Sequence, residues 1–148
     1  MPPRRERIPV VFDTNVVIGQ ATSPARLSPN SRVYDLWLVE RRLQLVVSPT
    51  LIAEYLEVLG RMGADFKRIA RLQARLMKSP TVTRINLGKR FLVSRDPDDD
   101  MLLATAHTGR ARYLVTNDRD LLEISLKERR RFRFEIVRPA ELLRLLEL

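Results

Sequence analysis

Apolar residues along this chain come in two patterns: short unbroken runs, and longer stretches in which they recur every three or four positions. The runs at 8–12, 43–47, 113–116 and 132–137 have the length and the β-branched or aromatic content of buried strands. The periodic stretches between them predict helices. Val33, Leu36, Trp37 and Val39 give one face of a helix over 32–42, capped by Asn30 or Ser31 after a loop marked by Pro24 and Ser28-Pro29-Asn30. Ser48-Pro49 joins a capping side chain to a proline at the first helical position. It opens a helix from about 50 to 59, whose core face is Leu51, Ile52, Tyr55, Leu56 and Leu59. Gly60 and Gly63 bracket a break before a third helix over 66–78, packed through Ile69, Leu72, Leu76 and Met77. Residues 81–94 read as a short strand and a basic loop around Lys89-Arg90. A helix then runs from Asp96-Pro97 to Thr108, a short one covers 119–128, and a last one covers 139–146.

Strands that alternate with helices pair in parallel and carry helices on both faces. The predicted fold class is therefore α/β: a single domain over 1–148, a three-layer α/β/α sandwich with a central parallel sheet of four to five strands. In such a sheet ligands bind outside the carboxyl ends of the strands, where the strand order reverses.

Composition narrows the chemistry. There is no cysteine, which removes disulfides, thiolate metal sites and thiol nucleophiles, and the single histidine, His107, argues against a histidine-rich zinc centre or a Ser-His-Asp triad. No apolar run reaches membrane-spanning length, and 8–12 is too short for a signal-peptide core, so a cytoplasmic protein is expected. Lys and Arg number 27 against 18 Asp and Glu, a net charge of +9 that favours a polyanionic partner.

Against that basic background, acids gather where strands should end. Asp13-Thr14-Asn15 follows the first strand, Glu54 sits in the opening turns of the helix after the second, Asp96-Pro97-Asp98-Asp99-Asp100 opens a helix, and Asn117-Asp118-Arg119-Asp120 follows the strand ending at Thr116. Taken singly, each has a plain structural role. Asp118 can cap the next helix, Asp13 can form an Asx-turn leading into 15–18, and Asp96 suits a cap, with Asp98 and Asp99 favouring the positive end of the helix. Asp100 and Glu54 front otherwise apolar turns, where a carboxylate needs a partner. Brought together, carboxylates repel by roughly 4 kcal/mol per close pair at an effective dielectric near 20. A divalent cation is the simplest offset, which points to metal-dependent phosphodiester chemistry. The 96–107 run is not an EF-hand, since its sixth position is Met101 and its twelfth His107. No Walker A or dinucleotide fingerprint is present.

These four segments together resemble the PIN-domain ribonucleases. Val10-Val11-Phe12-Asp13-Thr14-Asn15-Val16-Val17 resembles the family's opening strand, and Ser48-Pro49-Thr50-Leu51-Ile52-Ala53-Glu54 its strand-to-helix glutamate. Asp100-Met101-Leu102-Leu103-Ala104-Thr105-Ala106 resembles its acid before an apolar helix, and Leu114-Val115-Thr116-Asn117-Asp118 its late Thr-x-Asp strand end. The subgroup most resembled is the PIN-family toxin of bacterial and archaeal toxin–antitoxin modules. The resemblance implies a metal-dependent endoribonuclease using Mg²⁺ (or Mn²⁺), RNA as substrate, in-line hydrolysis leaving a 5′-phosphate, a small antitoxin partner and a homodimer. It assigns Asp13, Glu54, Asp100 and Asp118 as catalytic and metal-binding residues, with Asp98 the alternative to Asp100, and Asn15 and Thr116 either orienting carboxylates or bonding within turns. Substrate contacts would come from the stripe Arg68, Arg71, Arg75 and Lys78 and the cluster Arg129-Arg130-Arg131 with Arg133, though such stripes are commonly solvated faces. Phe132 and Phe134 are expected in the sheet and Trp37 in the core or a dimer face. Two other readings stand beside this one: a non-catalytic RNA- or protein-binding module on the same fold, and a phospho-acceptor or phosphatase domain using Asp13. The second wants a lysine near the phosphate, and none directly follows a confident strand.

Overall fold

Five short strands pair in parallel in the computed structural model, which describes residues 6–22, 28–87 and 97–146. They are β1 (Ile8–Phe12), β2 (Leu43–Val47), β3 (Val82–Arg84), β4 (Tyr113–Val115) and β5 (Glu135–Val137), in the order β3-β2-β1-β4-β5. Register is set by Val10 opposite both Leu45 and Tyr113, and the central runs of β1, β2 and β4 are buried. From β1 the chain moves outward through β2 to β3, then crosses back to β4 and on to β5. Right-handed crossovers in opposite directions put helices on both faces. The order reverses between β1 and β4, so the crevice expected of such a sheet opens at the ends of those two strands.

Eight helices connect and flank the strands among the described residues: α1 (Thr14–Thr22), α2 (Pro29–Leu38), α3 (Pro49–Arg61), α4 (Phe66–Lys78), α5 (Pro97–Thr108), α6 (Arg119–Leu122), α7 (Leu126–Arg129) and α8 (Pro139–Leu145). Two start with the same Ser-Pro device. Ser28 Oγ accepts from the Ser31 amide at 3.1 Å, and Ser48 Oγ from that of Leu51 at 3.3 Å, each with proline next at the first helical position. Asp65 caps α4 through the Lys67 amide at 3.0 Å. No helix among the described residues is long and apolar enough to cross a membrane.

Several boundaries differ from the pattern-based reading. The helix predicted over 32–42 starts at Pro29, because Ser28 rather than Asn30 or Ser31 is the cap, and it ends at Leu38. Val39 therefore lies past the last helical residue and is 67% exposed instead of facing the core. Met77 is likewise exposed, since Leu72 and Leu76 carry the buried edge of α4. The turn expected after Asp13 is a full helix, α1. The stretch 119–128 is two single-turn helices separated at 123–125, and β5 begins only at Glu135. Phe132 and Phe134 are buried, as expected, but ahead of the strand, stacked on each other at 4.9 Å. The Pro24 turn, the Lys89-Arg90 loop and the Asp96 cap lie outside the described residues.

Trp37 is a core residue. It is 1% exposed, meets Phe12 and Tyr34 edge-on at 6.4 and 5.5 Å, and donates its indole N–H to the Thr81 carbonyl at 3.1 Å. The opposite end of α5 is closed by a close approach. A Cβ on Gly109 would stand 2.1 Å from Cγ1 of Val46, a buried methyl on β2. Valine is stiff at χ1 and this one is packed on the sheet, so α5 itself has to shift. Gly109→Ala is expected to cost ~1–3 kcal/mol by overpacking, read as a lower urea midpoint with unchanged slope.

Candidate active site

The site is built on the corner where β1 turns into α1. Asp13 follows the last residue of β1, and its backbone N–H is tied to Val115 O of β4 at 2.9 Å, which locks the corner to the neighbouring strand. Its carboxylate is nearly closed off from solvent, 7% exposed. One oxygen, Oδ2, accepts from the Thr116 hydroxyl at 2.6 Å and faces the Asn15 amide at 3.4 Å. The backbone N–H of Thr14 also donates to this carboxylate.

From that acid a chain of hydroxyls leads both ways. Thr116 Oγ1 accepts the Asp118 amide at 2.9 Å while donating to Asp13. Thr14 Oγ1 donates to Glu54 Oε2 at 2.5 Å, bridging α1 to α3. The series Glu54–Thr14–Asp13–Thr116 thus alternates carboxylate and threonine across three segments of the chain, and the backbone N–H of Asp118 joins its far end. Burial holds the Asp13 carboxyl above its ordinary 3.8, and the charges of Asp118 and Glu54 push it further the same way, against the Thr116 and Thr14 hydrogen bonds that favour the ion. Tyr55, next to Glu54 on α3 and fully buried, donates its hydroxyl to the Phe12 carbonyl immediately before Asp13. Burial raises the pKa of that phenol well above 10, and the charges of Asp13 and Glu54 add to the effect, so Tyr55 stays protonated and keeps donating.

Of the four acids singled out in the sequence, three are therefore linked: Asp13, Glu54 and Asp118. Asp100 is placed by its element. It lies in the first turn of α5, buried at 9% exposure, on a helix that packs against β1, β2, β4 and α3. Asp98 is exposed, and Asp99 is buried beside Asp100. Asp118 also caps α6, accepting the Asp120 amide at 2.9 Å, so its plain structural role is real. Among the described residues no three His, Asp or Glu side chains already close round one point. Asn15 and Thr116 touch Asp13 as orienting groups; Thr14 and Tyr55 were not legible as site residues. Thr14 carried one signal, a hydroxyl next to the key acid at a helix start.

The donor set suits a hard divalent cation. None of Asp13, Glu54 or Asp118 forms an ion pair with a described residue, so among the described residues these mutually repelling carboxylates have no protein cation. The Asn15 carbonyl oxygen is buried beside them with no hydrogen-bond donor among the described residues. Oxygen donors of this kind match magnesium or manganese rather than zinc.

A second feature lies on the α1–α4 side of the sheet. A cleft of about 330 Å³ is lined by Val17, Tyr34, Leu59, Leu72 and neighbouring apolar residues, with Arg68, Arg71 and Arg75 contributing cations. Burial pushes the Tyr34 hydroxyl up to about 12, although Arg75 and Arg68 pull the other way. Neither Arg71 nor Arg75 makes an ion pair or side-chain hydrogen bond with a described residue. The other basic cluster is partly consumed by the fold. The Arg129 guanidinium donates to the Leu122 carbonyl and, at 3.0 Å, to that of Ile124, and Arg131 pairs with Glu128 at 3.2 Å.

No curated protein sequence is similar enough to this chain to count as a relative. Solved structures share the fold. A chain of VapBC2 from Rickettsia felis, crystallised bound to a DNA fragment from their promoter, is 14% identical with a TM-score of 0.50, over 88% of this chain and 98% of that one. PAE2754 from Pyrobaculum aerophilum is 18% identical with a TM-score of 0.56, over 98% and 99%. The family model described as PIN domain matches residues 9–120, from β1 through the Thr116–Asp118 segment. With the sheet order, the switch-point acids and that match in agreement, the chain belongs to the PIN domain family.

Proposed function

We propose that this chain is a metal-dependent endoribonuclease that hydrolyses RNA phosphodiester bonds with Mg²⁺ or Mn²⁺, and that it serves as the toxin of a type II toxin–antitoxin pair. PIN domains are generally nucleases that use divalent metals, and the observation that carries the reading here is the hydrogen-bonded series Glu54–Thr14–Asp13–Thr116 at the switch point, joined by the Asp118 amide, with no cation among the described residues pairing its acids. Asp13, Glu54, Asp100 and Asp118 would hold the ion. A divalent ion held there supplies Lewis-acid charge to the phosphate and lowers the pKa of water.

The remaining work falls to the chain's own side chains. Thr116 and the Thr14 amide fix the Asp13 carboxylate, so its oxygens are presented without reorganisation. Burial of Asp13 at the corner excludes bulk water from one side of the site. Arg68, Arg71 and Arg75, three and four residues apart on α4, offer charge for phosphates of the RNA backbone. The proposal of an antitoxin partner is supported by the shared fold with a chain of a complex whose name pairs two components. A short reading frame beside this one is the observation that would bear on it.

Incubating the purified protein with RNA and Mn²⁺ should give cleavage that EDTA stops. Asp118→Asn, which keeps an oxygen able to accept the Asp120 amide and so keeps the α6 cap, should lose at least ~100-fold in rate while its melting temperature stays near that of the wild type. Equal cleavage by both proteins would point to a contaminating nuclease.

A further inference from the structure

We propose that Thr14 is a positioning residue: its side-chain hydroxyl holds Glu54 beside Asp13 so that the two acids, one on each side of the corner, present themselves to a single divalent cation. This rests on the metal-dependent reading above and concerns a residue to which neither the family match nor the acidic pattern gives a role.

The geometry places both hydrogen-bond donors of one residue on the two repelling groups. The Thr14 amide donates to the Asp13 carboxylate, and the Thr14 hydroxyl donates to Glu54 Oε2 at 2.5 Å, across 40 positions of sequence. Thr14 is itself buried, so neither donor is shared with bulk water. Two like charges at a half-buried site would otherwise drift apart, Glu54 most readily, because its side chain is long and has more rotamers to occupy. No lysine or arginine among the described residues pairs with either acid, so a neutral donor is what spans them. Tyr55 strengthens the same joint from the next position on α3 by donating to the Phe12 carbonyl, which fixes the helix against the end of β1. With the helix fixed there, what remains adjustable is the Glu54 side chain, and Thr14 Oγ1 is what bonds it.

Substitution separates the two donors, since only the hydroxyl can be removed by a side-chain change. Thr14→Val keeps the branched shape and the amide bond to Asp13 but loses the bond to Glu54. Thr14→Ser keeps both. Isothermal calorimetry with MnCl₂ should show affinity ~10-fold or more weaker for Thr14→Val, near wild type for Thr14→Ser, and no added loss when Thr14→Val is combined with Glu54→Gln. Melting in EDTA checks that each variant is folded at the titration temperature. Thr14→Val binding within twofold of wild type, or the same loss in the Glu54→Gln background as in the wild type, overturns the proposal. A wild-type protein that binds no Mn²⁺ overturns this inference and the metal reading together. One that binds Mn²⁺ and shows the hydroxyl dependence yet cuts no RNA supports the inference while defeating the nuclease reading.

Discussion

Asp13→Asn should abolish Mn²⁺-dependent RNA cleavage and, in EDTA at neutral pH, make the protein more stable than the wild type. The two effects have one origin. Burial, helped by Asp118 and Glu54, raises the folded-state pKa of Asp13 above 3.8. A carboxyl raised on folding binds more protons folded than unfolded between those two values, so its contribution to stability is fully present below 3.8 and is lost as pH rises through the folded value. At neutral pH the ionised group is a net cost that asparagine removes, while its amide oxygen still accepts from Thr116. Substitutions that relieve functional strain commonly gain ~0.5–2 kcal/mol, which for a chain of this size is a melting temperature higher by about 2–8 °C. Without metal, the wild-type melting temperature should decline from pH 4 upward relative to the variant, and adding Mn²⁺ should raise the wild type but not the variant. A variant less stable than the wild type in EDTA at pH 7 would contradict the electrostatic account of the site.

The largest purely structural loss is expected at Trp37. Truncation to alanine empties a site bounded by Phe12 and Tyr34 and removes one of the two donors on the Thr81 carbonyl, which keeps the Leu45 amide at 2.9 Å. Large-to-small changes of this kind cost ~3–5 kcal/mol, a fall in melting temperature on the order of 10 °C. Circular dichroism is the appropriate probe, because Trp37 is the only tryptophan and its fluorescence disappears with it. Trp37→Phe isolates the polar part. It keeps most of the ring packing and should lose the ~0.5–1.5 kcal/mol of one hydrogen bond, since the Thr81 carbonyl still accepts from the Leu45 amide. A loss below ~1 kcal/mol for the alanine variant would mean that the ring is not packed as described. Phe12 immediately precedes Asp13, so the same substitution loosens the wall behind the acids, and metal affinity should fall along with stability.

Much of this architecture could be read from residue order, and the places where reading failed share a cause. The strands at 8–12 and 43–47 and the helix over 66–78 stand where periodicity put them, because each is a long enough run of one pattern. Helix α1 was missed: Val16-Val17-Ile18 is β-branched and intrinsically poor helix, and it is packing against α2 and α3 that makes it helical. The Ser28 cap went unread although Ser28-Pro29 repeats the Ser48-Pro49 signal that was used. In the site, Asp13 and Asp118 were legible because a parallel sheet has a reversal point and both follow strands that flank it. The link from Thr14 to Glu54 was not. It joins positions whose approach depends on how α3 lies against α1, and no local pattern encodes that.

The hydrogen bond from Thr116 to Asp13 joins residues 103 positions apart, so the corner after β1 waits for a strand made much later. At ribosomal speeds of about 5–20 residues per second, that interval is roughly 5–20 s. Throughout it the emerging polypeptide carries Asp13 and Thr14, and later Glu54, but lacks the strand that fixes the corner, and a message broken before β4 yields a product in which that corner is never tied. Late closure of a long loop also predicts slow refolding compared with helical bundles of equal size. Emergence of the Thr116 segment, rather than the appearance of any single acid, is therefore the moment at which this corner can close.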